Sequence, residues 1–160
     1  MGTGKTVVGK RLAKLLGRDF YDLDTLIEEE TAMSIPEIFS CVGESFFRDA
    51  EARMVGRVSQ WKGCVISTGG GVMLREDNIL NLKRSGVLIC LTASPEVILE
   101  RLAGKKDRPL LPGKNRRQKV KELLRKREPY YHKADYIVDT SLRTVEQVVK
   151  EICSFLKEKG

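Results

Sequence analysis

The sequence predicts an α/β fold, with helices packed on a mostly parallel sheet. Two observations carry this reading, and a third departs from it. Short apolar runs at 64–67, 87–91 and 136–138 alternate with longer segments of helical period. Strands separated by helices imply parallel neighbours joined by crossovers. A glycine turn, Gly2-Thr3-Gly4, leads straight into the first helical segment, where a doubly wound domain ordinarily opens with a strand. The 160 residues suit one domain spanning 1–160, at about 100–200 residues per domain.

Composition narrows the class. The hydrophobic fraction is 41% and the charged fraction 32%, which excludes a disordered or fibrous chain. No apolar run approaches the ~18 residues of a membrane span. The N-terminus has no apolar stretch of signal-peptide type. Cys41, Cys64, Cys90 and Cys153 are scattered, so neither a disulfide framework nor a zinc site is expected. The expectation is a reduced, cytoplasmic protein.

The elements follow in order. Val7, Val8, Leu12, Leu15 and Leu16 keep helical spacing, and Gly17 closes that helix. Phe20–Leu23 reads as a short strand ending in acids. Residues 24–32 and 34–42 read as two helices, the second opened by Ser34, Pro36 and Glu37 as a capping box. A longer helix covers about 44–60. Cys64–Ser67 is a buried strand running into Thr68 and three glycines. Residues 76–84 are helical and stop at Gly86. Val87–Leu91 is a strand, and Ser94-Pro95-Glu96 opens a helix to about Ala103. Residues 104–114 read as a loop, 115–128 as a basic helix stopped before Pro129, 136–139 as a strand and 144–158 as a last helix. The substrate-binding helices are placed at about 24–60.

Charge is uneven. The net charge is +7, yet residues 104–128 hold eleven Lys/Arg against three acids. Residues 20–51 carry nine acids and only Arg48 as a base. A basic segment facing an acidic remainder suits a small polyanion. The basic segment has no aromatic residue to stack on bases, which argues against a nucleic-acid partner.

Four motifs carry chemistry. Gly4-Lys5-Thr6 is the second half of a phosphate loop, G-x-x-x-x-G-K-[ST]. Its glycines turn backbone N–H groups toward phosphate, its lysine reaches the β/γ-phosphates and its hydroxyl ligates Mg²⁺. The helix N-terminus adds its dipole. Asp22 and Asp24 close the first strand, where paired carboxylates can hold Mg²⁺ through water and accept a hydroxyl proton; an N-cap role for Asp24 is the plainer alternative. Gly69-Gly70-Gly71 after a buried strand lets a ligand touch backbone. Arg48 and Arg127 can grip a carboxylate bidentately, although either alone reads as a solvated surface residue. Arg108 lies in a loop suited to a lid over phosphates at 104–117.

Taken in order, Gly2-Thr3-Gly4-Lys5-Thr6, Asp22-Leu23-Asp24, Glu44-x-x-Phe47-Arg48, Gly69–Gly71, Arg108-Pro109-Leu110-Leu111 and Arg127-x-Pro129-x-Tyr131 resemble the shikimate kinase family. The resemblance covers about residues 2–140. It implies a three-layer sandwich on a five-stranded parallel sheet of order 2-3-1-4-5. It implies transfer of the ATP γ-phosphate to the 3-hydroxyl of shikimate, in chorismate and aromatic amino-acid biosynthesis. By motif, Lys5 stabilises the transferring phosphoryl group, and Gly2, Thr3, Gly4 and Thr6 belong to the ATP site. Thr6 ligates Mg²⁺ and Asp22 holds it through water. Asp24 contacts the substrate hydroxyls and is the candidate base. Arg48 and Arg127 clamp the carboxylate, Gly70 and Gly71 touch the substrate, and Arg108 and Arg101 approach ATP.

Two other readings stand beside this one. The first is another small P-loop kinase of gluconate or nucleotide type, and the second is a shortened homologue that binds ligand with little turnover. The first glycine of the phosphate loop and the strand before it would lie upstream of Met1. Met1 is therefore expected to be an internal methionine of a longer protein, and the central strand to be missing. The expected state is a monomer, or a dimer that borrows a strand.

Overall fold

The computed structural model describes residues 2–103 and 115–159. Lys5–Leu16 forms α1, with Val8, Leu12 and Ala13 buried and Gly17 ending it in the left-handed conformation that glycine tolerates. The strand β1 (Asp19–Asp22) runs directly into α2 (Leu23–Thr31). The spacing predicts a strand through Leu23 and a helix from residue 24. Instead Asp22 is the N-cap, its Oδ1 accepting the Asp24 N–H at 3.1 Å, and Leu23 is driven into the core by its burial. Asp24 thus sits in the first turn of a helix, not on a strand face.

The capping box at Ser34 and Glu37 forms as expected over α3 (Ile35–Glu37). The chain then widens into a π-helical turn at Ile38–Val42, in place of a regular helix to residue 42. This turn seats Ile38 in the core, and Gly43, with φ 97°, is the N-cap of α4 (Glu44–Val58). Its residues Phe47, Ala50, Met54, Val55 and Val58 pack with Leu23 and Ile27 of α2. Each large apolar side chain buried there contributes about 1.5–3 kcal/mol.

The strand β2 (Cys64–Ser67) leads into the glycine run, a 3₁₀ turn at Val72–Leu74 and α5 (Glu76–Ser85). The next strand, β3, covers Ile89–Thr92 instead of 87–91. Leu88 is taken by the loop before the last strand: its N–H donates to Asp135 Oδ2 and its carbonyl accepts the Asp135 and Tyr136 N–H groups. Ser94 caps α6 (Pro95–Leu102). The helix α7 (Arg116–Tyr131) runs through Pro129, against the predicted stop before it. A proline so near the end forfeits only the bond to the residue-125 carbonyl, and the His132 N–H still closes on Glu128. The last elements are β4 (Tyr136–Asp139) and α8 (Val145–Lys159).

All strand pairing among the described residues is parallel. One ribbon joins β1 and β2, from Asp19↔Cys64 to Asp22↔Ser67. The other joins β3 and β4, from Ile89↔Tyr136 to Thr92↔Asp139. These are the pairs 2-3 and 4-5 of the expected order. Among the described residues no strand pairing links the two ribbons. They share an apolar layer instead. Val8 and Leu12 of α1 and Val148, Val149 and Ile152 of α8 pack with Val65, Ile89, Leu91 and Val138. A third cluster joins Ile98 and Leu102 of α6 to Val120 and Leu124 of α7. Among the described residues no helix is long and apolar enough to cross a membrane.

Candidate active site

Parallel strands bring their carboxyl ends to one edge, and the crevice beyond that edge is where such folds bind ligands. Here a cleft of about 710 Å³ opens at this edge. Every expected site residue within the described range lines it: Gly2 through Thr6, Asp22, Asp24, Arg48, Gly70, Gly71, Arg101 and Arg127. Arg108 and nearly all of the expected lid at 104–117 lie outside the described residues.

The wall expected to take phosphate is built by the turn before α1. Gly2 (φ 66°) and Gly4 (φ 87°) are both left-handed, a conformation that a side chain would strain. A Cβ on Gly2 would also meet Ile98 of α6 at 3.1 Å. Gly4 is the N-cap of α1 and leaves the first-turn N–H groups without a side-chain acceptor. That is the arrangement a helix offers to an anion. Lys5 opens the helix beside it. Thr3 is buried, and its Oγ1 has no hydrogen-bond partner among the described residues.

The acids lie across from this turn. The Thr6 hydroxyl donates to Asp22 Oδ2 at 3.0 Å. A hydroxyl and a carboxylate side by side are hard oxygen donors of the kind Mg²⁺ takes once phosphates complete its shell. Asp22 therefore serves twice, capping α2 with Oδ1 and facing Thr6 with Oδ2. Asp24 follows in the first turn of α2 and lines the cleft.

The arginines come from two helices. On α4, Arg48 Nη1 donates to Glu51 Oε2 at 2.9 Å, and its Nη2 and Nε donate to Glu44 Oε1 at 3.0 and 3.2 Å. Arg127 of α7 is buried at 6% exposure, with Nε unpartnered among the described residues and a hydrogen bond to Tyr131. Between them Glu51 is 1% exposed, and its Oε1 has no hydrogen-bond partner among the described residues. Burial pushes the Glu51 carboxyl above the ordinary range; Arg48 offsets part of this, Asp24 adds to it and Arg127 opposes it. Gly71 lies directly against Arg48, where a Cβ would meet Cζ at 2.6 Å and Nη2 at 2.8 Å.

Two residues were not on the expected list. Glu51 follows Arg48 by three positions on one helix, a spacing that puts both on one face, and this signal was available in the sequence. Thr140, just after β4, contacts Arg101 across the fold, and no local spacing announces it. Arg101 itself donates to Thr140 and to the Gly2 carbonyl.

A turn shaped for an anion on one wall, with acids and two arginines, one of them buried, on the other, places the protein among the P-loop kinases that phosphorylate small molecules. Within that class the shikimate kinase family model matches residues 1–157, and the chain belongs to this family. A shikimate kinase of Thermodesulfovibrio yellowstonii is 53% identical over 152 residues, covering 95% of this chain and 88% of that one. The structure of a shikimate kinase from Acinetobacter baumannii in complex with shikimate matches with a TM-score of 0.95 at 37% identity, covering 99% of this chain and 89% of that one. The shikimate kinase of Bacteroides thetaiotaomicron matches with a TM-score of 0.89 at 35% identity, over 98% of this chain and 94% of that one.

Proposed function

We propose that the cleft transfers the γ-phosphoryl group of ATP to the 3-hydroxyl of shikimate. The observation that carries this is the meeting, in one cleft, of a helix-capping glycine turn with a buried and a half-buried arginine and an acid pair. Phosphoryl transfer needs positioning and charge neutralisation more than covalent help from the protein. The α1 amides and Lys5 hold the phosphates and neutralise charge as it builds on the transferring group. Arg48 and Arg127 fix the carboxylate of the acceptor, and Gly70 and Gly71 let its ring approach backbone. Asp24 orients the acceptor hydroxyl and takes its proton.

Thr6 and Asp22 would hold Mg²⁺, Asp22 through water. The ion, when bound, neutralises β- and γ-phosphate charge. Arg101 borders the nucleotide side, and Arg108 would come to the phosphates from its loop. The helices α2 to α4 form the acceptor-binding part of a single domain that works as a cytoplasmic monomer. The strand-sharing dimer is the lesser alternative.

An ADP-release assay with shikimate, gluconate and nucleoside monophosphates as acceptors tests the reading. Turnover with shikimate alone is expected. Comparable turnover with another acceptor, or none with shikimate, overturns it.

A further inference from the structure

Thr140 is 3% exposed and joins three segments that are far apart in sequence. Its N–H donates to the Thr92 carbonyl at 2.9 Å, tying the end of β4 to the end of β3. Its Oγ1 lies 3.2 Å from the Thr3 carbonyl and 3.0 Å from the Thr92 carbonyl. A hydroxyl has one proton to give. Both carbonyls lie within reach of that proton, so the hydroxyl can close on Thr3 as well as on Thr92. The Thr140 oxygens in turn accept from Arg101: Nη1 to Oγ1 at 2.9 Å and Nη2 to the carbonyl at 2.8 Å. Arg101 Nη1 also reaches the Gly2 carbonyl at 3.3 Å.

The carbonyls of Gly2 and Thr3 are therefore both within hydrogen-bond reach of one pair, the buried Thr140 and the half-buried Arg101. In a planar trans peptide the next residue's N–H points opposite to the carbonyl. Holding these two carbonyls fixes the directions of the Thr3 and Gly4 N–H groups, which belong to the turn that precedes Lys5. Glycine at positions 2 and 4 leaves this turn with little stiffness of its own. The stiffness has to come from outside the turn, and the Arg101–Thr140 pair is an external source the structure shows.

We propose that Thr140 is a positioning residue for nucleotide binding, acting with Arg101 to aim the backbone amides of the phosphate loop. This rests on the reading that the loop holds the phosphates of ATP. The guanidinium of Arg101 is a strut in this arrangement, gripping the loop from behind as well as bordering the nucleotide.

The test compares Thr140→Val, which keeps the shape and removes the hydroxyl, with Thr140→Ser, which keeps the hydroxyl. Titration calorimetry of each full chain with MgADP and with shikimate gives the two affinities separately. Thr140→Val is expected to weaken MgADP about tenfold, as the loss of one buried hydrogen bond would, and to leave shikimate within about twofold. Thr140→Ser is expected to restore MgADP binding. Unchanged MgADP affinity in Thr140→Val overturns the proposal. So does equal weakening of both ligands, or a Ser variant as poor as the Val variant. Arg101→Lys, which keeps the charge and loses the fork, carries the same expectation should Thr140→Val not fold. Lys5→Ala serves as the control for the underlying reading: if it binds MgADP as tightly as the parent, the phosphate-loop assignment fails and not the strut.

Discussion

Gly71→Ala is the perturbation that the site geometry constrains most. Gly71 has φ −82° and ψ −18°, so alanine fits its backbone and would by itself add about 0.4–1 kcal/mol of stability by restricting the unfolded chain. The side chain is the difficulty. A Cβ there would lie 2.6 Å from Arg48 Cζ and 2.8 Å from Nη2, so the guanidinium has to move. It is only 13% exposed and held by Glu51 and Glu44. Moving it takes Arg48 away from a carboxylate that is 1% exposed. Stripping a buried ion of its partner costs roughly 3–5 kcal/mol when nothing compensates. Here Arg127 still acts on Glu51, and Glu51 can take up a proton, its carboxyl being pushed up by burial. A net loss of about 1–3 kcal/mol follows, larger than the backbone gain.

The loss should also depend on pH. A buried carboxyl with a raised pKa contributes stability that is present below the ordinary carboxylate range and is lost as pH rises through its folded pKa. With Arg48 displaced, the Glu51 carboxyl rises further. The variant is thus near the parent in acid and falls behind it toward neutral pH. With Arg48 gripping the acceptor as proposed, its displacement removes a charged hydrogen bond of about 1.5–3 kcal/mol, roughly ten- to a hundredfold in affinity. Steady-state KM for shikimate and for ATP, with Tm across pH, reads all of this. A shikimate KM unchanged beside a raised Tm would show that Arg48 moves aside freely, and an equal rise in both KM values would show that it does not belong to the acceptor side.

Two further outcomes come from packing and from charge. Gly9→Ala gains about 1 kcal/mol of helix propensity in α1 but sets a Cβ 2.7 Å from Phe20 Cε2 of β1; with overpacking at about 1–3 kcal/mol the net loss is up to about 2 kcal/mol, so Tm should drop by up to ~8 °C, and a rise would mean that the Phe20 ring yields. Burial alone would raise the Asp135 carboxyl, but the Leu88 N–H and the Lys83 ammonium, 2.9 Å from it, outweigh this and hold it below its usual range. That contribution is present above the usual aspartate pKa of ~3.9 and lost as pH falls through the lower folded value. Asp135→Asn should therefore lower Tm at pH 7 and make it less sensitive to acid, and a parallel pH profile for the two proteins would refute this.

The parts of the site that sequence made legible are those where one residue type has one physical use. Glycine before Lys5-Thr6 and at 69–71 marks backbone that a ligand must reach, and these residues do line the cleft. The helix and strand pattern was equally readable, since apolar period alone separates Cys64–Ser67 from Glu44–Val58. What stayed hidden depends on contacts between distant segments. The strand ends at Asp22 because its carboxylate caps the following helix, a choice between neighbouring acids that spacing leaves open. The π turn at Ile38–Val42 follows from seating Ile38 in the core, and α7 passes Pro129 because one lost hydrogen bond near a helix end is cheap. The Arg101–Thr140 contact spans separate crossovers and has no local pattern.

The two ribbons also bear on how the molecule opens. Each is closed by its own crossover, residue 19 finding 64 and residue 89 finding 136, so neither waits for the other to form. Units that close separately can also open separately, in partial unfolding that leaves the rest of the chain intact. What spans them is the layer made by α1 and α8, the first and last helices of the described chain. Those helices act as a clasp, and the turn at the head of α1 is fixed to it. Fraying at Val148, Val149 and Ile152 would loosen the wall proposed for the nucleotide from a distance, while a ligand that stiffens α1 would tighten the last helix in return.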